Sequence, residues 1–185
     1  MVKGFVGRHG EGKTYCMVHQ VVAMRRRDPG LAVFSNLALE LPGEGPVHQL
    51  RRWPEDFIEA RHGVVVVDEI NTYMPSRLWD RVPPQMLHMF QMLRKYEVSL
   101  LWTAQNIARV DKVVRELTHE VVEVSNFRRF GFFSLRSVLC NRDQWDRPGR
   151  WGGVVLTDPA TDRAYDTMEV LEVPSYTAKV GRGQG

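Results

Sequence analysis

Cysteine is almost missing from this 185-residue chain, with Cys16 and Cys140 its only two thiols. Two thiols so far apart form neither a metal cluster nor a disulfide framework. They fit buried side chains in a reducing compartment. No stretch reaches the roughly 18 consecutive apolar residues of a membrane span. The opening "MVKGFVG" has none of the features of a signal peptide, so the expected location is cytoplasmic. Lysine is scarce, five residues against twenty arginines, which favours fork-like contacts to phosphate over point charges. The histidines, His9, His19, His48, His62, His88 and His119, lack metal-ligand spacing. A net charge of +3 is too small to single out a polyanionic partner. Internal repeats and low-complexity tracts are absent, which excludes solenoids and linker-rich proteins.

What the chain does have is regular alternation of strand and helix signals. "VKGFVG" reads as a short buried strand, and Lys13 to Arg27 as a helix stopped by "DPG". "LAVFSNL" reads as a second strand, "LPGEGP" as a loop, and "PEDFIEARHG" as a helix between Pro54 and Gly63. In "GVVVVDEI" four valines run without alternation, the mark of a strand buried on both faces. "PPQMLHMFQMLRKY" is a proline-opened helix whose Met86, Met89, Phe90 and Leu93 form a core-facing stripe. "SLLWTAQN" is a further buried strand, followed by a helix in "ARVDKVVRELTHE" and a strand in "VVEVSN". Beyond it come short strands and turns, with turn signals at "RPG", "GG" and "DPATD". This order predicts a three-layer α/β domain with a mainly parallel sheet and antiparallel strands added late. The expected organisation is one domain over 1–185: a core over 1–125, a β-rich extension over 126–178, and a frayed tail over 179–185.

The chemistry concentrates in three strand ends. "VGRHGEGKTY" carries the spacing of a phosphate-binding P-loop, from Gly7 to Gly12-Lys13-Thr14. Its glycines let backbone N–H groups turn inward, and the following helix aims its positive end at the same point. The loop residues Gly7, Arg8, His9, Gly10, Glu11, Gly12, Lys13, Thr14 and Tyr15 are the expected ATP cradle. Lys13 would reach the β- and γ-phosphates, and Thr14 would place its hydroxyl on Mg²⁺. At the end of "VVVVDEI", Asp68 suits the second Mg²⁺ ligand through water, and Glu69 the general base that polarises attacking water. Gln105, at the tip of "LLWTAQN", offers an amide able to sense the γ-phosphate or to cap the next helix.

Taken together, "GRHGEGKTY", "VFSNL", "VVVVDEI" and "LRKYEVSLLWTAQNIARVDKVVREL" resemble the N-terminal ATPase domain of the zonula occludens toxin family. That family is similar to the gene I assembly proteins of filamentous phages. It stands within the HerA/FtsK-type, RecA-like P-loop ATPases, which include viral genome-packaging ATPases. The resemblance spans residues 2 to 125 and is most telling from Arg94 to Leu117. It implies an additional strand between the two nucleotide-binding strands, a glutamate base, a sensor glutamine and assembly into a ring. It also implies DNA as a partner, and capsid or envelope assembly proteins of a phage. Toxin-family and gene I proteins continue into a transmembrane segment and a periplasmic part, which this sequence does not include. The resemblance therefore carries ATP hydrolysis further than membrane extrusion.

A ring ATPase needs an arginine from a neighbouring subunit to stabilise transition-state charge. The candidates are Arg77, Arg81, Arg94, Arg109 and Arg115, with Arg94 and Arg115 first because they lie in the family-like stretch. Arg128, Arg129, Arg136, Arg142, Arg147 and Arg150 sit among aromatic residues, a pattern suited to DNA phosphates and bases or to an exposed hairpin. The expected function is a phage ATPase that couples hydrolysis to DNA movement in virion assembly, by packaging or by extrusion. Two rivals remain: a small-molecule kinase, with "MPSRLWDRVPP" as its arginine lid, and a nucleotide-gated scaffold with little turnover.

Overall fold

Two separate apolar cores, one on each face of a single sheet, organise the chain. A computed structural model describes residues 1–74, 83–138 and 148–166, for 148–151 the backbone alone. Its strands are β1 (Val2–Val6), β2 (Ala32–Ser35), β3 (Val47–Gln49), β4 (Gly63–Val67), β5 (Val98–Ala104), β6 (Glu120–Phe127), β7 (Phe132–Val138) and β8 (Pro148–Leu156). Its helices are α1 (Lys13–Arg27), α2 (Glu55–Glu59), α3 (Ile70–Tyr73), α4 (Pro84–Met92), α5 (Lys112–Leu117) and α6 (Pro159–Arg163). The strand order is β3-β2-β4-β5-β1-β6-β7-β8, parallel through β6 and antiparallel over the last two pairs. β5 lies between β4 and β1, as the resemblance implied for the additional strand.

The valine run explains itself in this sheet. Val64 and Val66 enter the core on the α1 face, while Val65 and Val67 enter the core on the α2 and α4 face. All four are fully buried, and each contributes about 1.5–3 kcal/mol relative to exposure. The methionine stripe Met86, Met89, Phe90 and Leu93 packs into the latter core, as its helical spacing predicted. α1 covers the opposite face through Met17, Val18, Val21 and Val22.

Two expectations about helices need adjusting. The helix read over 108–120 is a 3-10 turn at Ile107–Arg109 followed by the short α5. Asn106 caps that turn by accepting from Ala108 N, and Asp111 restarts the chain as the cap of α5. Thr118 stops α5 by donating to the Val114 carbonyl at 2.7 Å while accepting from the Trp102 indole at 3.2 Å. "DPATD", read as a turn, opens α6 instead, with Asp158 as cap and Pro159 in the first turn. Between the loop "LPGEGP" and the helix from Pro54 lies the edge strand β3, which carries no strand signal in the sequence because its three residues are mostly exposed and give no apolar pattern. The tail over 179–185 lies outside the described residues.

Candidate active site

Parallel strands end together, so their following loops share one edge of the sheet. β1 ends at Val6 opposite Ala104 of β5, and β5 pairs Trp102 with Val67 of β4. The loop after β1, the acids after β4 and the amides after β5 therefore meet at that edge.

The loop over residues 7–12 takes its shape from glycine at two points. Gly7 has φ +155°, and a side chain there would press a Cβ to 2.8 Å from the Val124 carbonyl. Gly12 has φ +87°, and its Cβ would fall 2.3 Å from the Phe133 ring. Phe133 is itself fixed, buried and stacked on Tyr15 at 4.7 Å. Lys13 opens α1 and is 5 % exposed. Its ammonium donates to the Arg8 carbonyl at 3.2 Å and stands 3.9 Å from the Glu69 carboxylate.

Thr14 Oγ1 donates to Asp68 Oδ1 at 2.8 Å, and Thr103 Oγ1 donates to the same oxygen at 2.7 Å. Burial raises the Asp68 carboxyl above the ordinary range, while the two hydroxyls and Lys13 pull it back down. Asn36 holds the Asp68 backbone on both sides: its amide donates to the carbonyl at 2.9 Å and its oxygen accepts from the N–H at 2.8 Å. Glu69 adopts the left-handed conformation, φ 51° and ψ 56°, with its N–H donating to Thr103 Oγ1 at 2.9 Å. A non-glycine residue held there is locally strained, and the strain directs the chain from β4 into α3. A cavity of about 410 Å³ gathers Lys13, Thr14, Asp68, Glu69, Arg128 and Tyr165 along its walls.

The donors suit a hard cation. Thr14 and Asp68 bring a hydroxyl and a carboxylate oxygen to one point. Magnesium takes few protein oxygens and keeps its remaining positions for water and phosphate. Among the described residues no three or more His, Cys, Asp or Glu side chains are grouped so as to hold a metal ion.

The family model for zonular occludens toxin (Zot) matches residues 40–139. The chain belongs to the zonular occludens toxin family. No curated protein sequence matches it. Among solved structures it is similar to the N-terminal domain of zonular occludens toxin from Neisseria meningitidis, at 16 % identity and TM-score 0.59, over 89 % of this chain and 98 % of that one. It is similar to the genome packaging NTPase B204 from Sulfolobus turreted icosahedral virus 2, solved with ATP-gammaS, at 12 % identity and TM-score 0.58, over 83 % and 95 %. The DNA-packaging ATPase B204 from Sulfolobus turreted icosahedral virus matches at 12 % identity and TM-score 0.56, over 83 % and 95 %. At such identities these likenesses establish the fold: this Zot-family chain has the mixed α/β architecture, with a mostly parallel sheet, of P-loop ATPase domains.

The remaining site residues divide. His9, Gly10, Gly12 and Tyr15 line the same cavity as Lys13. Gly7, Arg8 and Gln105 line a second cavity of about 390 Å³ beside the loop, together with Glu123 and Arg136, which pair with each other. Glu11 accepts from the Asn126 N–H at 2.8 Å. Arg94 lies where the chain enters β5, at the sheet edge away from the loop. Arg115 is partly buried on α5, one turn before the chain re-enters the sheet at that same far edge. Arg109 is exposed directly after β5, on the edge that carries the loop. Arg77 and Arg81 lie outside the described residues, as does most of the "MPSRLWDRVPP" lid.

Of the arginines read toward DNA, Arg128 lines the 410 Å³ cavity and pairs with Asp162 at 2.8 Å. Arg129 is exposed, 5.4 Å from the centre of the exposed Phe130 ring. Arg142 and Arg147 are outside the described residues, and so is the Arg150 side chain. Cys16 is buried and its thiol is pushed up to about 12 by desolvation. Cys140 falls outside the described residues. None of the helices among the described residues is long and apolar enough to cross a membrane.

Sequence reasoning missed Asn36, Thr103, Asn126 and Tyr165. Asn36, Thr103 and Asn126 stand at or near the C-terminal ends of strands β2, β5 and β6, in "FSN", "WTA" and "VSN". A polar residue closing an apolar strand on the edge that carries the P-loop is the signal that marks them.

Proposed function

We propose that this chain binds ATP with Mg²⁺ and hydrolyses it, and that the hydrolysis drives DNA movement in phage virion assembly, into a capsid or through an envelope. One observation carries the reading: Lys13, Thr14, Asp68 and Glu69 converge on a single cavity, with Lys13 Nζ 3.9 Å from Glu69 and Thr14 Oγ1 2.8 Å from Asp68. In this reading the loop N–H groups and Lys13 hold the β- and γ-phosphates. Thr14 and Asp68 hold the cation, which supplies charge neutralisation on those phosphates. Glu69 takes the proton of the attacking water. Lys13 then has two roles, pairing with Glu69 before nucleotide binds and with phosphate afterwards.

Membership in the Zot family supports a phage role, and the likeness to a genome packaging NTPase solved with AMP and with ATP-gammaS supports nucleotide binding and DNA handling. We read the chain as one domain over 1–185 acting in the host cytoplasm. In support, β7 and β8 of the extension continue the same sheet as the core. We also propose a ring in which a neighbour's arginine completes the site. Arg94 and Arg115 remain the family-based candidates, and Arg109, a candidate from the start, is supported by its place on the loop edge. Gln105 is kept as the phosphate sensor, acting from the second cavity next to Gly7.

The test is Glu69→Gln assayed by phosphate release beside equilibrium ATP binding. The expected variant binds ATP like wild type and hydrolyses it at least about a hundredfold more slowly. Full activity in Glu69→Gln would mean that another group activates water and would remove Glu69 as the base, while a wild-type chain that binds ATP and releases no phosphate would overturn the hydrolase reading.

A further inference from the structure

Asn126 ties the phosphate loop to the first residue beyond β6. Its amide donates to the Gly10 carbonyl at 2.8 Å, and its N–H donates to the Glu11 carboxylate at 2.8 Å. Its oxygen accepts from the Arg128 N–H, also at 2.8 Å. One side chain thus fixes the loop and Arg128 relative to each other. Arg128 lines the same cavity as Lys13 and Thr14, and its guanidinium lies 5.9 Å from the centre of the Tyr15 ring.

The sheet order says which part of a nucleotide would reach it. Asp68 and Glu69 follow β4, on one side of β1; Asn126 and Arg128 close and follow β6, on the other. Lys13 Nζ is drawn toward Glu69. A nucleotide whose terminal phosphate faces Glu69 therefore runs back across the loop toward β6, with its α-phosphate and nucleoside on the Arg128 side. Arg128 is paired with Asp162, and the two side chains are 54 % and 37 % exposed. An exposed pair of this kind is held weakly. A phosphate offers a guanidinium more charge and a matching fork of acceptors.

We propose that Arg128 is a nucleotide-binding residue, supplied by the β-rich extension of the same chain, that grips the α-phosphate of the bound nucleotide. Asp162 is its counter-ion before nucleotide binds and releases it on binding. The proposal rests on the nucleotide-site reading above.

Isothermal titration of ATP and ADP, each with Mg²⁺, against the full chain tests it. Arg128→Ala is expected to weaken ATP and ADP by the same factor, about ten- to a hundredfold, as for a lost hydrogen bond to a charged group. Arg128→Lys should recover part of that loss. Asp162→Asn breaks the same ion pair but leaves the arginine, so it should tighten both nucleotides by up to about fivefold. In the Arg128→Ala background, Asp162→Asn should change nothing. Wild-type affinity in Arg128→Ala would overturn the proposal, as would a loss confined to ATP, which would move the contact to the γ-phosphate. Weakening by Asp162→Asn comparable to that by Arg128→Ala would reduce the pair to a structural tie. Failure of the wild-type chain to bind either nucleotide would instead sink the nucleotide-site reading itself.

Discussion

Replacing Thr103 by valine tests how the two acids at the end of β4 are held. Thr103 is fully buried in β5. Its hydroxyl donates to Asp68 Oδ1 at 2.7 Å and accepts from Glu69 N at 2.9 Å. Valine keeps the β-branched shape a strand favours and removes only the hydroxyl's chemistry. The Glu69 N–H is left without its acceptor, at a cost of about 1–3 kcal/mol. Asp68 loses one of two hydroxyl donors, and a hydrogen bond to a charged group is worth about 1.5–3 kcal/mol. The added methyl returns about 0.8 kcal/mol. The net loss is then about 2–5 kcal/mol, read from urea unfolding followed by tryptophan fluorescence. Thr103→Ser, which keeps the hydroxyl, should cost only about 1 kcal/mol for the missing methyl. A second effect follows from charge. The lost donor was lowering the Asp68 carboxyl, so Mg²⁺-dependent nucleotide binding in Thr103→Val should set in at higher pH than in wild type. Stability of Thr103→Val within about 0.5 kcal/mol of wild type would refute the hydrogen-bond account, as surface-like substitutions behave this way. Equal damage from Thr103→Ser would assign the loss to packing instead.

Asp68→Asn should raise the melting temperature of the nucleotide- and Mg²⁺-free protein at pH 8 while abolishing Mg²⁺-dependent ATP binding. Burial raises the native Asp68 carboxyl, so its favourable protonated form is fully present below the unfolded pKa and lost as pH rises through the native one. The advantage of the variant should therefore shrink in acid, and a pH-independent difference in melting would contradict this. Gly12→Ala should lose nucleotide binding and about 2 kcal/mol or more of stability, because it combines φ +87° with a Cβ 2.3 Å from a buried ring; an unchanged thermal melt would remove Phe133 as a wall of the loop. If a neighbour completes the site, ATPase activity per subunit should rise with protein concentration, since arginine fingers contribute about 10³ or more in rate. Specific activity over a dilution series, with mass by light scattering and with DNA present or absent, checks this. High activity in a species that stays monomeric would leave a solitary enzyme. Mixing in small amounts of Arg94→Ala, Arg109→Ala or Arg115→Ala should poison wild type only for the arginine that serves as the finger.

The sequence by itself determined the parallel core and the loop, because both are written locally. "GRHGEGKT" needs only its glycines and the helix behind it. "VVVVDEI" states double-faced burial and a closing pair of acids within seven residues. What only the tertiary structure decided is everything that depends on strands meeting from distant parts of the chain. Asn36 and Thr103 reach Asp68 because β2 and β5 flank β4. Asn126 reaches Gly10 because β6 pairs with β1. Arg128, which as sequence is one basic residue among aromatics, becomes part of a cavity with Lys13. The split of Gln105 from Glu69 into two cavities was equally hidden, since both close strands on the same edge of the sheet. The physical reason is range. Helix capping, glycine geometry and burial periodicity act over a few residues and are legible in order along the chain. Sheet order is set by the joint burial of both faces, and it alone fixes which polar strand ends become neighbours.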